Sequence, residues 1–437
     1  MSAKKMVFDY IDANRDKMVD FLIELVSKPS VNHGDGGDLK PVQDLLAGRL
    51  NDFGFDKVDE FSIDPEGAHP NVCAINKGSG GGKSLLFNGH MDVVPVTDPS
   101  LWCCDPFKPI VKDGKVFGRG TSDDKGGLTS AIWAMKAIKD LKIDIKGDVI
   151  LQAAAGEESQ SAEDLGTSQC VKRGYSADFG IVCESSDLEV QILSSSLVFI
   201  ELIISGKPAH TSSRNQVIFP QPYGTPSGSE VGVDAFKKSL KFAQYFYDLE
   251  EQFNHRFRDP VLGSGGNPVH DKQGIGVFTI NPSFVEVGEY LGTVPAHAKY
   301  TYCIWYPEFL ISKEELFEEI RQGVNAIAST DDWLRKNPPK LNMPVIQDWP
   351  GFRISIDHPG VVCARNSIMD AIGKPAVISG LKAVCDATYL NKHGVPSVMC
   401  GPGSISWGVH GNDEYVTIDS LIDAAKIYAS MIIDWCN

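Results

Sequence analysis

From residue 11 to residue 26 apolar side chains recur at helical spacing, at Ile11, Met18, Phe21, Leu22, Leu25 and Val26, and Pro29 stops the run. The spacing predicts one N-terminal helix, then a second near Val42 to Phe53 that Gly54 ends. The period then changes. Asn71 to Ile75 and Leu85 to Phe87 are short apolar runs separated by the glycine-rich stretch Gly78 to Gly82, the texture of two strands and a turn. Gly126 to Leu141 returns to helical spacing, whereas Val149 to Ala155 and Phe179 to Cys183 are continuous apolar runs suited to strands buried on both faces. Alternating helices and buried strands predict an α/β unit with a mixed, mainly parallel sheet flanked by helices.

From about Leu193 the texture differs. Leu197 to Ser205 alternates like a half-buried strand, Val233 to Leu249 and Glu314 to Ala328 read as helices, and Gly276 to Thr279, Ala298 to Trp305 and Leu341 to Val345 read as strands. A strand-helix-strand-strand-helix-strand order suits an α+β unit inserted over residues 193–348. Residues 1–192 and 349–437 then form the α/β unit, completed by helices near Val361 to Ile372 and Ile418 to Trp435 and a strand at Ser397 to Cys400. Asn215 to Glu230, rich in Pro, Gly and Ser, reads as a long loop, and no internal repeat is visible.

Composition narrows the class. A chain of 437 residues is too long for one ordinary core, and 42% hydrophobic with 22% charged residues is a globular composition. A net charge of −16 argues against general affinity for nucleic acid or anionic membranes, though not against a local basic pocket. Met1 to Asp20 has no apolar core of a signal peptide, and the strongest apolar run, Leu197 to Ile204, is broken by Glu201, so neither secretion nor a membrane span is expected. Ten cysteines at irregular spacing read as reduced thiols of a cytoplasmic protein, with the Cys103–Cys104 pair assigned to packing.

Five segments place metal-capable side chains just after predicted strands or in polar loops, where α/β sheets gather ligands. Asn88-Gly89-His90-Met91-Asp92 suits a histidine ligand whose second ring nitrogen donates to a carboxylate; it also reads as a strand-end histidine beside a solvated aspartate. Asp123 and Asp124, flanked by glycines ahead of a helix, are either ligands or a helix cap. Glu157 and Glu158 follow an apolar strand directly; buried together they would repel, a conflict that a metal or loop solvation relieves. Glu184 ends another buried strand, and His410 lies in the glycine-flanked loop Trp407 to Glu414. Two histidines and three carboxylates, without cysteine, are a donor set for catalytic divalent metals that keep a position for water, and point to hydrolysis.

In this order and spacing, from about residue 10 to the C-terminus, the five segments resemble the metallohydrolase family of acetylornithine deacetylase, succinyl-diaminopimelate desuccinylase, aminoacylase and the glutamate carboxypeptidase and dipeptidase relatives. The resemblance implies a zinc-exopeptidase-like catalytic unit with an inserted lid or dimerisation unit, and two divalent metal ions, zinc first, with cobalt or manganese as alternatives. It assigns His90 and Glu184 to one metal, Glu158 and His410 to the other, and Asp123 to both. It makes Asp92 the residue that orients His90, the Asp123–Asp124 peptide cis, and Glu157 the general base toward a metal-bridged water. His210, in Gly206 to Ser212, is implied to reach the active site, often that of the partner subunit in a homodimer.

Substrate-side positions depart from the family. Trp305 stands where many relatives carry a carboxylate-gripping arginine, Gly292 where they carry an asparagine, and Thr388 where they carry a second arginine. Arginine offers carboxylate a planar fork, and tryptophan offers an apolar face. A larger, flatter or less charged amide is therefore expected, unless Arg214, Arg353 or Lys382 substitutes as the cation or Trp305 only packs in the lid. The leading reading is an amidohydrolase of an N-acyl amino acid or related small amide. A dipeptidase or carboxypeptidase with the same metals comes second, and a non-catalytic binding protein third; Glu157 argues against that last reading, because a binder needs no base.

Overall fold

The computed structural model describes residues 2–32, 37–159, 162–262, 274–346 and 348–437. Along the chain, helices α1 (Ala3–Ala13), α2 (Arg15–Val26) and α3 (Lys40–Asp52) lead into strands β1 (Lys57–Phe61), β2 (Asn71–Asn76) and β3 (Leu85–His90). Helix α4 (Lys125–Asp140) is followed by β4 (Val149–Ala154), β5 (Phe179–Ser185) and β6 (Val190–Ser194). A second run comprises β7 (Ser196–Ser205), α5 (Ala235–Arg256), β8 (Thr279–Val287), β9 (His297–Tyr306), α6 (Lys313–Ser329) and β10 (Lys340–Asn342). The chain closes with α7 (Pro359–Ile372), β11 (Ile378–Leu381), β12 (Ser397–Gly401) and α8 (Ile418–Trp435).

The larger sheet has the order β1-β2-β4-β3-β5-β12-β6-β11. Its centre, β4, β3, β5 and β12, is parallel, whereas β1 and β2 add antiparallel at one edge and β6 runs antiparallel to β12. The continuous apolar runs are explained by layers on both faces. Leu85 and Phe87 of β3 enter the core built with α1, α2, α4 and α8, while Leu86 between them enters a second core with Ile150, Val182 and Leu390. Side chains of a strand alternate in direction, so a strand covered on both sides has no polar position to offer.

The smaller sheet, β8-β9-β7-β10, is antiparallel throughout and has the strand-helix-strand-strand-helix-strand order read from the sequence. Its even-numbered residues Val198, Ile200, Leu202, Ile204, Ala298 and Ile304 pack with Phe242, Phe246, Leu316 and Ile320 of α5 and α6. Odd-numbered residues therefore face away from the helices. The two sheets are joined at β6–β7 and at residues 349–354. There Leu197 and Trp349 exchange backbone hydrogen bonds of 2.8 and 3.0 Å, and Ser194 N–H donates to the Phe352 carbonyl at 3.0 Å.

Three elements differ from expectation. The N-terminal helix is two helices, because Asn14 ends α1 and its side-chain amide donates to the Tyr10 carbonyl. The strand expected at Gly276 to Thr279 is mainly Thr279–Val287, whose exposed residues and Pro282 disguise it. The long polar loop contains a short helix, Arg214–Ile218. All ten cysteines are free, and among the described residues no helix is long and apolar enough to cross a membrane.

Candidate metal centre

Parallel strands deliver their C-terminal ends to one edge of a sheet, and ligands collect there. His90 is the last residue of β3 and pairs with Ala154 of β4, so Glu157 and Glu158 begin just beyond it. Gly156, at φ +74°, turns the chain between strand and glutamates, a conformation that costs glycine nothing. On the other side of β3 the pairing of Asn88 with Val182 brings Glu184 of β5 level with His90. Helix α4 enters from below the same edge, close enough that a Cβ on Gly127 would lie 2.1 Å from the Cys183 carbonyl oxygen.

The Asp123–Asp124 peptide ahead of α4 is cis. Asp124 takes the N-cap position but makes no side-chain capping bond, so a helix cap does not account for the paired acids. Asp123 instead reaches both histidines. His90 Nε2 lies 3.1 Å from its Oδ1 and His410 Nε2 lies 3.4 Å from its Oδ2. His410 Nε2 is also 2.8 Å from Glu158 Oε1. The loop holding Asp123 is fastened by the buried Glu414, which accepts the N–H groups of Gly120, Ser122 and Asp123 and the Arg119 guanidinium at 2.7 Å.

His90 is buried, and its Nδ1 donates to the Asp92 backbone carbonyl at 2.9 Å. A carbonyl only accepts, so that bond puts the proton on Nδ1 and directs Nε2 at the cluster. Asp92 thus holds His90 through its main chain; its carboxylate Oδ1 is 3.7 Å away. That carboxylate accepts from the N–H groups of Glu157 and Glu158 at 3.1 and 3.0 Å and from Asn32 Nδ2 at 3.0 Å, tying the glutamate loop to the histidine strand. Neither Asn32 nor Arg119 stood out in the sequence; a buried polar residue shows itself only once its partners are in place.

The electrostatics describe a site short of positive charge. Burial opposes the charge on His90, yet its hydrogen bond to Asp123 and the surrounding acids raise it well above the usual imidazole range. Hydrogen bonds to Asp123 and Glu158 push His410 up to about 10. Burial opposes ionisation of Asp123, but the two histidines hold it well below the carboxylate range. Burial pushes Glu157 and Glu184 well up, and neighbouring acids add to the effect. Glu184 Oε1 is buried with no hydrogen-bond partner. A multivalent cation offsets all of these at once. His90, Asp123 and Glu158 each offer a ligand atom, all within 4.8 Å of one another, so the donor set fits divalent metal.

A cavity of about 600 Å³ opens over the cluster. Asp123, Glu157, Glu158, Glu184 and His410 line one side, and Leu197, Phe199, Trp305 and Trp349 line the other. Of the residues singled out in the sequence, Trp305 is in this wall, but His210 is not. His210 is exposed, with Nδ1 2.8 Å from Ser212 Oγ. Phe199 and Trp349 were not foreseen as site residues. Phe199 is an odd-numbered position of β7, and its direction alone could have marked it.

Residues 86–434 match the family described as Peptidase family M20/M25/M40. The chain is 30% identical to the N-formyl-4-amino-5-aminomethyl-2-methylpyrimidine deformylase of Bacillus subtilis, over 98% of this chain and 96% of that one. It is 28% identical to the deformylase of the same name from Halalkalibacterium halodurans, over 100% of this chain and 98% of that one. In fold it is similar to an M20 family metallo-carboxypeptidase from Sulfolobus solfataricus, with a TM-score of 0.69 at 19% identity, covering 95% of this chain and 98% of that one. Sequence and fold agree: the chain belongs to Peptidase family M20/M25/M40 and is a metal-dependent hydrolase of amide bonds.

Proposed function

We propose that this protein removes a short acyl group from a primary amine at a two-metal centre. When metal is bound, His90 and Glu184 would hold one ion and Glu158 and His410 the other, with Asp123 available to both. The observation that carries this is the approach of the two histidines to opposite oxygens of Asp123, at 3.1 and 3.4 Å. Histidine and carboxylate donors are those of catalytic zinc sites, so zinc is the first choice, with cobalt or manganese as substitutes. Two such ions, when bound, supply Lewis acidity toward the amide carbonyl and lower the pKa of water.

The chain's own residues do the rest. Glu157 lines the cavity, and burial pushes its carboxyl well up, so it is placed to take a proton from the attacking water and return it to the leaving nitrogen. Asp92 fixes both His90 and the loop of Glu157 and Glu158. A formyl group is favoured as the acyl part by the deformylase names of the two relatives. A dipeptidase would need a group to hold the free carboxylate, and among the described residues no Lys or Arg lines the cavity.

A second copy of the chain completes the assembly. Among the described residues strand β8 is an edge of its sheet, with Phe284, Val285 and Val287 exposed, and Phe236, Leu240 and Tyr247 form an exposed stripe along α5. An apolar edge of this kind suits pairing with another chain. A homodimer would also give His210, which lies outside its own cavity, a partner's site to enter. Ten free cysteines fit a reducing compartment such as the cytoplasm. The test of the reaction is amine release from N-formyl and N-acetyl amines by zinc-loaded protein. Turnover by the wild type and not by Glu157→Ala supports the reading; undiminished turnover in Glu157→Ala would sink it.

A further inference from the structure

We infer that the cavity selects a flat, carboxylate-free N-acyl amine and turns away N-acyl amino acids, with Trp305, Trp349 and Phe199 as the contacts that choose. This rests on the reading of the site as an amide hydrolase and adds the chemistry of the amine.

The wall opposite the acids is aromatic for a geometrical reason. Trp305 of β9 pairs with Leu197 of β7, and Cys303 with Phe199. Leu197, Phe199 and Trp305 therefore share the odd-numbered face, the one not covered by α5 and α6. Trp349 joins them from the crossing back to the larger sheet and meets Phe199 edge-on, at 6.2 Å between ring centroids. Its backbone is held twice by Leu197, and the next residue, Pro350, accepts a 2.6 Å hydrogen bond from Thr388 Oγ1. The rings stand on a braced main chain, which limits what a ligand must order on binding.

Among the described residues, the same wall has no lysine or arginine to offer. Arg214 is spent on Asp234 at 2.8 Å, and Arg353 on Asp259 at 2.7 Å while lying over the Phe309 ring. Lys382 is exposed and does not line the cavity, although its neighbours Leu381 and Ala383 do. A carboxylate carried into the cavity leaves water and meets, among the described lining residues of its own chain, no lysine or arginine, only His410, two serines and apolar or acidic side chains, an unfavourable exchange. A flat neutral ring loses nothing of the kind and gains edge and face contacts.

The test compares N-formylbenzylamine with N-formylphenylalanine, the same ring without and with a carboxylate, on zinc-loaded full-length protein. The wild type is expected to favour N-formylbenzylamine at least tenfold in kcat/KM, and Trp305→Arg to shrink that ratio at least tenfold with metal content unchanged. Trp305→Leu, which removes the ring without adding charge, is expected to lower kcat/KM for N-formylbenzylamine severalfold more than for N-formylmethylamine. Quenching of tryptophan fluorescence by benzylamine against phenylalanine, in zinc-loaded Glu157→Gln, reads the same choice without turnover. A wild type that prefers the carboxylated substrate, a ratio that Trp305→Arg leaves alone, or equal quenching by the two amines would overturn the inference. Silence on both substrates with benzylamine still preferred would overturn the hydrolase reading and support the pocket.

Discussion

On one side of the cavity Asp123, Glu157, Glu158, Glu184 and His410 crowd charge at the strand ends of the large sheet; on the other, Leu197, Phe199 and Trp305 present one face of the small sheet. The two sides obey different physics. Buried acids side by side are unfavourable by themselves, and every one of them must be answered by a proton, a histidine or a cation. Their positions are over-determined: Asp92 accepts three donors and Glu414 accepts three backbone N–H groups and an arginine, all to keep a few oxygens where they are. The aromatic side needs no such network, since a sheet face can carry any side chain of suitable size. Damage to the first side should therefore abolish the reaction, and damage to the second should change what is chosen.

The largest effect separates the two most sharply. Chelation of the metals is expected to abolish amide hydrolysis, with recovery on adding zinc, and to lower the thermal midpoint because a ligand that binds only the folded chain stabilises it. Glu157→Ala, with metal content checked by elemental analysis, is expected to lose roughly 10²–10⁴ in kcat, the usual share of a positioned proton carrier. If its KM for an aromatic amide moved instead, the division between the two sides would be wrong.

The next effect tests the scaffold of the charged side. Arg119→Met leaves Glu414 buried without its cation, which should cost about 3–5 kcal/mol in urea unfolding. On the aromatic side Trp349→Leu should weaken aromatic substrates about two- to tenfold in kcat/KM, the equivalent of the ~0.5–1.5 kcal/mol of a ring pair, and affect kcat for N-formylmethylamine less. Smallest of all, Thr388→Val removes one hydrogen bond to Pro350, worth about 1 kcal/mol of stability. Its signature beyond a lower thermal midpoint is a raised KM for N-formylbenzylamine that Thr388→Ser restores.

The legibility of the chain follows the same division. β3, β4, β5 and α4 were read nearly to their ends, since strands buried on both faces leave uninterrupted apolar runs. β1, β6 and β11 were not, being short or amphipathic pieces whose pairing is decided by the rest of the sheet. β8 was displaced because an edge strand with exposed Phe284 and Val285 and an internal Pro282 lacks the clean alternation of β9.

By itself, the sequence determined which side chains are available for chemistry, and it placed them at strand ends and glycine-flanked turns, because local backbone preference and burial period are written residue by residue. Only the tertiary structure decided that Asp123 stands between two histidines 320 positions apart, at 90 and 410, that His90 is held by a carbonyl rather than a carboxylate, and that Trp349 faces Phe199. Those are contacts between distant segments, set by sheet order and register, and no local pattern in the chain encodes them.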